Sequence, residues 1–340
     1  MDHQECRTKP GNPNQPETEK EPQKPGIENV LVCGRGSVGL SLGGKLADHL
    51  ASANFAYLAS EQQARRYAKQ PVLVNGEPKV YRYITPADSQ AFENGRKADL
   101  VLFACKSYSL DEAMEEAAPF VDALTILVSA INGIASEERL QKRFPQNPVV
   151  HAIAQNMDAR YDSARQSVHF STPGELVFGP AGPAVKEQAD ALEDLLACCA
   201  VPYIRSADIR LDQARKLMFN CGINQVCAAY SATYGDVASD PVLNDLFLRA
   251  MEEARQTLAA VGTDPGQASL QNWAEKIKTF DPDSMPSMAQ DVLAGRKMEL
   301  DLFCGTILPL ARKYGVETPV LEDLNRRLQA LMPDESAGNQ

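Results

Sequence analysis

A short apolar run that ends in a glycine-rich loop and leads into a helix constrains the fold of this chain most. Residues 29–33 (NVLVC) form the run, and Gly34-Arg35-Gly36-Ser37-Val38-Gly39 follows with the spacing GxGxxG. Apolar residues then recur at helical spacing up to residue 50. In this context the glycines allow a tight turn, a close approach of phosphate to the backbone, and close packing of helix on strand. We therefore predict a dinucleotide-binding loop, with a glycine-rich turn that binds nothing as the competing interpretation.

Apolar strands alternate with helices along the first half of the chain. Further strand-like runs lie at 55–59, 99–105 and 124–129, and a helical run lies at 110–118. Strands that are apolar throughout indicate a parallel sheet covered on both faces. From residue 208 helical spacing prevails, and we expect helices at 208–230, 240–261, 267–279 and 285–314. The predicted fold class is therefore α/β, with an N-terminal Rossmann-like parallel-sheet domain (27–207) followed by an all-helical C-terminal domain (208–333).

Both ends of the chain differ in composition from these two domains. Residues 1–26 contain five prolines and no apolar periodicity. Such a segment cannot bury enough apolar surface to offset the entropy lost on ordering. We therefore predict a disordered tail at 1–26 and a second short tail at 334–340.

Composition narrows the classes of partner. The chain carries 34 Lys and Arg against 45 Asp and Glu, a formal charge of −11, which argues against nucleic acid and anionic membranes as partners. A small anionic ligand is not excluded, because it feels only the local charge of a cleft. No apolar stretch reaches the 18–20 residues or so needed to span a bilayer, and the N-terminus lacks the apolar segment of a signal peptide. The eight cysteines include no CxxC pair and the four histidines show no ligand spacing, so we expect a reduced, cytoplasmic protein without a metal.

The residues after the second predicted strand bear on the choice of dinucleotide. An acidic residue there binds the ribose hydroxyls of NAD, whereas a basic neighbour accommodates the 2′-phosphate of NADP. Here Ser60 is followed by Glu61, and Arg65 and Arg66 lie about one helical turn further on. Glu61 favours NAD, while Ser60 with either arginine favours NADP. Both arginines could equally belong to a solvated helix face, so the choice stays open at this point.

Lys216, Asn220 and Asn224 form a second constellation within the predicted helix 208–230. Their spacing of four places them on one helix face. The residues around them are apolar, and polar groups in such a setting are costly unless they are paired or face a cleft. A solvated lysine beside two capping asparagines is the competing interpretation.

Ser287, Asp291 and Glu299 form a third cluster, at multiples of four along the predicted helix 285–314. Gly295 falls on the same face and would leave room for a ligand, whereas the competing interpretation is a helix cap with surface carboxylates. Lys106 and Asn132 instead follow two predicted strands of the first domain. The carboxyl ends of parallel strands are where such folds bind ligands.

Taken together, these residues resemble the ketopantoate reductase family, whose members are NADPH-dependent 2-dehydropantoate 2-reductases of pantothenate biosynthesis. The resemblance runs from about residue 29 to residue 331. It rests on the segments GRGSVG, FACKSY, SAINGI, KLMFNCGIN, SMAQDVLAGRKMELD and ARKYGVETPV. The lysine helix and the Ser–Asp–Glu segment are its specific parts, because a general dinucleotide fold does not require them.

The resemblance implies a role for each candidate residue. Lys216 would be the general acid that protonates the reduced keto oxygen. The residues implied in substrate binding are Asn132, Lys216, Asn220, Asn224 and Ser287. The candidates for binding NADPH or NADP are the loop residues Gly34, Arg35, Gly36, Ser37, Val38 and Gly39 and the strand-end residue Ser60, together with Lys106, Asn132 and Glu299, which the resemblance places in the same cleft. It further implies a small 2-keto acid as partner, and a homodimer is compatible with it.

Three positions depart from the pattern of the family. Arg35 is large and charged inside the glycine loop, and Ser60 replaces the basic residue that many members carry after the second strand. Tyr234 stands where some members have an asparagine that contacts the substrate. NAD as cofactor, another 2-oxo acid as substrate, and a catalytically silent NADP-binding sensor therefore remain alternatives. The lysine and its two asparagines count against the sensor, since nucleotide binding does not need them.

Overall fold

The computed structural model of the chain describes residues 26–88, 90, 92 and 95–332. The predicted tails at 1–26 and 334–340 lie outside the described residues, apart from Gly26, and stay predictions of the sequence. The predicted domain boundary at residue 207 falls in a short connection between a strand that ends at Arg205 and a helix that begins at Ile209.

In the described part of the chain, twelve strands form two sheets. They are β1 (Val30–Cys33), β2 (Phe55–Leu58), β3 (Val72–Val74), β4 (Glu77–Lys79), β5 (Tyr83–Ile84), β6 (Leu100–Phe103), β7 (Ile126–Ser129), β8 (Val149–Met157), β9 (Arg160–Asp162), β10 (Ser167–His169), β11 (Pro173–Gly179) and β12 (Tyr203–Arg205). The larger sheet has the order β12-β11-β8-β7-β6-β1-β2-β5. Adjacent strands in this sheet are parallel, except that β8 and β11 pair antiparallel.

Helices cover both faces of this sheet, as the apolar strands predict. The helices of the N-terminal domain are α1 (Ser37–His49), α2 (Glu61–Tyr67), α3 (Leu110–Ala117), α4 (Ser136–Arg143) and α5 (Lys186–Cys198). Alternate residues of β1 face opposite sides: Val30 and Val32 pack with α1 and α5, whereas Leu31 packs with α3 and α4. Every residue of β1, β2, β6 and β7 is buried. The predicted α/β fold class is confirmed.

The smaller sheet, with the order β4-β3-β10-β9, was not expected from the sequence pattern. Its hairpin between β3 and β4 turns at Asn75 and Gly76, which both have positive φ (51° and 89°), as a two-residue hairpin turn requires. Val72 and Val168 of this sheet are buried in the same apolar cluster as α1. The smaller sheet therefore packs on the α1 side of the larger one.

Helices make up the C-terminal region. They are α6 (Ile209–Tyr230), α7 (Tyr234–Ser239), α8 (Pro241–Ala260), α9 (Gln267–Lys276), α10 (Ser287–Leu293), α11 (Cys304–Tyr314) and α12 (Pro319–Ala330). The long helix α6 is the centre of this region, because 15 of its 22 residues are buried. Asp208 begins α6 by accepting a hydrogen bond from the Leu211 N–H. The apolar core of this region is continuous with the cluster on the α3 side of the sheet.

The prediction of a single helix at 285–314 is wrong, because this segment contains two helices. Helix α10 ends at Leu293, where Gly295 adopts a left-handed conformation with φ of 62°. The N–H of Gly295 bonds to the Val292 carbonyl and the N–H of Arg296 to the Asp291 carbonyl, which together close the helix end in a Schellman motif. A 3-10 turn at Leu300–Leu302 precedes α11. Asp291 and Glu299 therefore do not share one helix face.

Candidate active site

The glycine loop lies at the carboxyl end of β1 and opens α1, as predicted. At two of its glycines, Gly34 and Gly39, a side chain would collide with the backbone. A Cβ on Gly34 would lie 2.6 Å from the Ala104 carbonyl, and a Cβ on Gly39 would lie 2.0 Å from the Gly34 oxygen. A Cβ on Gly36 would meet no atom within 4 Å, because it would project into open space. A pyrophosphate fits this loop, since Gly36 leaves room where the N-terminal N–H groups of α1 are available.

The residues after β2 are engaged in local contacts. Ser60 caps α2 by accepting from the Gln63 N–H, while the Gln63 side chain accepts from the Ser60 N–H. Arg65 pairs with Glu61 at 3.0 Å, and both side chains are exposed. Arg66 donates to the Ser163 carbonyl at 2.8 Å. Ser60, Arg65 and Arg66 therefore all have hydrogen-bond partners within the described chain.

Arg35 turns away from solvent and is only 7% exposed. Its Nε donates to the Tyr83 hydroxyl at 2.7 Å, and its Nη1 donates to the Tyr161 hydroxyl and to Gln166 Oε1. The guanidinium carbon lies 4.1 Å from the centre of the Tyr67 ring. Three neutral acceptors and an aromatic face therefore surround this cation.

Lys216 lies on α6 with its ammonium group between two acceptors. Nζ donates to Asn132 Oδ1 at 2.9 Å and to the Ala154 carbonyl at 2.6 Å. Burial disfavours the charged form and lowers the pKa of Lys216 to about 8. A small cavity lies against Lys216, Asn132 and Gln213. The arrangement places a proton donor of moderate acidity beside a cavity of about 10 Å³, close to the size of one water molecule.

The two asparagines on the same face of α6 are buried, with 6% exposure at Asn220 and 5% at Asn224. Asn224 Oδ1 has no hydrogen-bond partner in the described part of the chain. A buried acceptor without a partner costs about 1–3 kcal/mol, which a donor on a ligand would recover. Ser287, in contrast, is exposed at the start of α10 and does not cap it, since Pro286 is the N-cap residue.

Aromatic side chains form a cluster around Phe219, the residue before Asn220 on α6. The Phe219 ring stacks on Trp273 with centres 4.1 Å apart and meets Phe280 edge-on at 6.2 Å. Tyr234 contacts Phe280 edge-on at 5.0 Å. Tyr234 is therefore part of the same aromatic cluster.

Lys106 joins the sheet to the segment around α10. Its Nζ donates to Asp291 Oδ2 at 2.8 Å and to Glu299 Oε2 at 2.9 Å, and the Ser107 N–H donates to Glu299 Oε1 at 2.7 Å. Desolvation opposes the charge, but the carboxylates of Glu299 and Asp291 outweigh it and raise the pKa of Lys106. The two acids predicted on one helix face thus converge on one lysine instead.

The structure brings the predicted site residues together in two groups. Lys216 contacts Asn132, and Lys106 contacts Glu299 and Asp291. Lys106 and Asn132 follow β6 and β7, which are parallel neighbours, so both lie at one edge of the sheet. Ser60 and Ser287 make no contact with either group among the hydrogen bonds of the described residues.

Sequence reasoning missed several contributors. The Ala154 carbonyl leaves no sequence signal, because it acts through the backbone. Gln213 lies one turn before Lys216 and bonds to Glu137 Oε1 at 2.6 Å and to the His151 ring at 2.9 Å. Its position three residues before Lys216 was the available signal.

The described residues contain neither a cluster of metal ligands nor a membrane-spanning helix. No group of three or more His, Cys, Asp and Glu side chains there could hold a metal ion. None of the helices described is both long enough and apolar enough to cross a membrane.

Comparison with known proteins gives a consistent result for both halves of the chain. The family described as "Ketopantoate reductase PanE/ApbA" matches residues 30–183, and "Ketopantoate reductase PanE/ApbA C terminal" matches residues 208–331. The 2-dehydropantoate 2-reductase of Aquifex aeolicus is 26% identical over 239 residues, covering 68% of this chain and 76% of that protein.

Two solved structures have the same fold. A PanE/ApbA family ketopantoate reductase from Ralstonia eutropha superposes with a TM-score of 0.75 at 22% identity, covering 89% of this chain and 98% of its own. A D-mandelate dehydrogenase with NADH and anilino(oxo)acetate superposes with a TM-score of 0.78 at 19% identity and the same coverage. At these identities the likeness concerns the fold.

Proposed function

This chain belongs to the ketopantoate reductase family, and from that premise we propose that it reduces 2-dehydropantoate to pantoate with NADPH. The observation that carries the proposal is the desolvated Lys216 ammonium, held by Asn132 and the Ala154 carbonyl. A dinucleotide-binding protein without catalysis does not need a desolvated lysine at this position. That burial supports an oxidoreductase over a silent sensor.

Lys216 acts as the general acid in this proposal. When bound, the reduced nicotinamide supplies a hydride to the keto carbon, and negative charge then develops on the keto oxygen. An ammonium group stabilises that charge and donates the proton that completes the hydroxyl. Since the pKa of Lys216 is lowered to about 8, the group is mostly protonated at neutral pH but releases its proton more readily than a free lysine.

Asn132 and the Ala154 carbonyl orient the acid. Both acceptors fix Nζ, so the third ammonium proton is available to the substrate. Asn220, Asn224 and Ser287 are proposed to hold the substrate. The unpartnered Asn224 Oδ1 is an acceptor, which suits the hydroxyl group of ketopantoate as donor.

The glycine loop, from Gly34 to Gly39, is proposed to hold the pyrophosphate of the cofactor, with Ser60 near the adenosine ribose. Lys106 and Glu299 are proposed to line the nicotinamide end of the same cleft. Their mutual ion pair places both side chains beside the loop that follows β6.

A direct assay tests the proposal. NADPH oxidation is followed at 340 nm after addition of ketopantoate or another 2-oxo acid. We expect kcat/KM to be higher for ketopantoate than for the other 2-oxo acids. Lys216→Ala should abolish most of the activity, while Lys186→Ala, an exposed lysine paired with Asp190, should not change it. Tight NADPH binding without turnover of any 2-oxo acid would favour the sensor instead.

A second candidate is a reductase for an aromatic 2-keto acid. It is favoured by Tyr234, which packs on Phe280 next to the stacked Phe219 and Trp273. The fold likeness to a D-mandelate dehydrogenase is compatible with it. Comparing kcat/KM for benzoylformate and ketopantoate separates the two candidates. Pantothenate biosynthesis, a homodimer and a cytoplasmic location stay predictions.

A further inference from the structure

Arg35 in the glycine loop is a buried cation, and none of the carboxylates in the described residues pairs with it. Its three hydrogen-bond acceptors are neutral, namely Tyr83, Tyr161 and Gln166. No salt bridge to Arg35 occurs within the described residues. Its remaining nitrogen, Nη2, is buried and has no hydrogen-bond partner there.

Such an arrangement is incomplete in electrostatic terms. A guanidinium stays charged at all ordinary pH, so it cannot escape the cost of burial by losing a proton. Buried charges are normally paired, and an unpaired buried donor costs stability. An anion that reaches Nη2 would supply both the missing charge and the missing acceptor.

The neighbours of the guanidinium indicate which part of a bound dinucleotide would lie closest to it. Arg35 follows Gly34 at the end of β1, and its side chain contacts Tyr67 of α2 and Tyr83 of β5. In the sheet, β2 and β5 lie on one side of β1, and β6 lies on the other. The ribose of the adenosine is bound at the end of β2 in such folds. The guanidinium therefore lies on the adenosine side of the loop.

The other basic side chains near this point are already engaged. Arg65 forms an exposed pair with Glu61, and Arg66 donates to the Ser163 carbonyl. Neither has a buried nitrogen without a partner in the described chain. Arg35 differs from both because its guanidinium plane is held in place by three side chains and a ring.

From these observations we propose that Arg35 binds the 2′-phosphate of NADPH and thereby sets the preference of this protein for NADPH over NADH. The three acceptors and Tyr67 hold the guanidinium, and Nη2 is the donor left for the phosphate oxygen. A basic residue after β2, where Ser60 stands, is then not needed to hold the phosphate. The inference rests on the proposed use of a nicotinamide dinucleotide and is independent of the keto acid.

Equilibrium binding tests the assignment without catalysis. Titration calorimetry measures the Kd of NADPH, NADH, 2′,5′-ADP and ADP for the wild-type chain and for Arg35→Gln. We expect Arg35→Gln to weaken NADPH and 2′,5′-ADP by about 10- to 100-fold, the size of a lost charge-assisted hydrogen bond, while NADH and ADP stay within about threefold. The ratio of the two Kd values comes from one protein sample, so it does not depend on the fraction that is folded.

Two further variants keep the test decisive. Arg35→Lys retains the charge but not the forked geometry, and it replaces the glutamine variant if that one fails to fold. It should weaken NADPH by at least about threefold and leave NADH unchanged. Arg326→Gln, an exposed arginine of α12, is the matched control and should change neither cofactor.

Several results would overturn the assignment. Equal losses for NADPH and NADH in Arg35→Gln would mean that Arg35 supports the pyrophosphate or the loop alone. Selective loss of NADPH in Arg65→Gln or Arg66→Gln would move the phosphate contact to α2. Equal affinity of the wild-type chain for both cofactors would remove the preference itself. If 2′,5′-ADP binds through Arg35 but ketopantoate is not reduced, the proposed substrate fails and this inference stands.

Discussion

The pH dependence of the reduction follows from the burial of Lys216. Desolvation lowers the pKa of Lys216 to about 8, against about 10.4 for a free lysine. Since the ammonium form is the acid, kcat/KM should be constant below about pH 7 and fall tenfold for each pH unit above about 8. At pH 10 the wild-type chain should therefore retain on the order of 1% of its plateau. A solvated lysine would keep the plateau to about pH 10.

Removing the side chain tests the same group by a second route. Lys216→Ala should lower kcat by roughly 10²–10⁴, the usual contribution of a general acid, which corresponds to about 3–5 kcal/mol in the barrier. The fall should appear in kcat and in kcat/KM, because the interaction removed is made mainly in the transition state. NADPH affinity should change little, and the break near pH 8 should disappear from the residual rate.

The assay is the initial rate of NADPH oxidation at saturating NADPH between pH 6 and pH 10, with NADPH affinity measured separately. Lys186→Ala serves as control, since this lysine is exposed on α5 and pairs with Asp190 one turn further along the helix. A Lys216→Ala protein that retains more than about half of the activity would refute the reasoning, because losing a general acid cannot be so mild. A wild-type profile without a break between pH 7 and pH 9.5 would refute the assigned pKa.

Three further predictions concern the remaining contacts. Asn220→Ala and Asn224→Ala should each raise the KM for the keto acid by roughly tenfold with kcat within about twofold in steady-state kinetics, and a fall in kcat alone would contradict a holding role. Gly36→Ala should weaken NADPH binding in calorimetry without lowering the Tm, whereas Gly39→Ala should lower the Tm, because only the Cβ at Gly39 would meet the backbone. The reverse pattern would contradict the roles assigned to the two glycines. Lys106→Met should lower the free energy of unfolding, measured in urea at pH 7, by about 1–3 kcal/mol. This is less than for a fully buried ion pair, because the lysine side chain is 40% exposed. No change in the free energy of unfolding would mean that the two ion pairs do not stabilise the fold.

Much of the fold follows from local sequence. The run at 29–33, the loop after it and the helical spacing beyond define β1 and α1, because alternation, turn chemistry and helical periodicity all act over a few residues. The same reasoning fails at Gly295, where helical spacing continued past a helix end. The end of α10 depends on Gly295, which adopts a left-handed conformation within a Schellman motif. The spacing of apolar residues alone does not reveal this helix end.

The sequence by itself also identified Lys216, Asn220 and Asn224 as candidate site residues, because each lies about one helix turn after the one before it. It selected Lys106 and Asn132 as well, because strand ends predict a common edge. These choices needed only helix geometry and sheet topology.

Only the tertiary structure decided what these side chains contact. Lys106 meets Asp291 and Glu299 across 185 and 193 residues of chain, and Lys216 meets Asn132 across 84. Hydrogen-bond partners and desolvation depend on which distant groups the folded chain brings together, and no local spacing encodes that. For the same reason the lowered pKa of Lys216 and the carboxylate-free burial of Arg35 could not be predicted from the sequence.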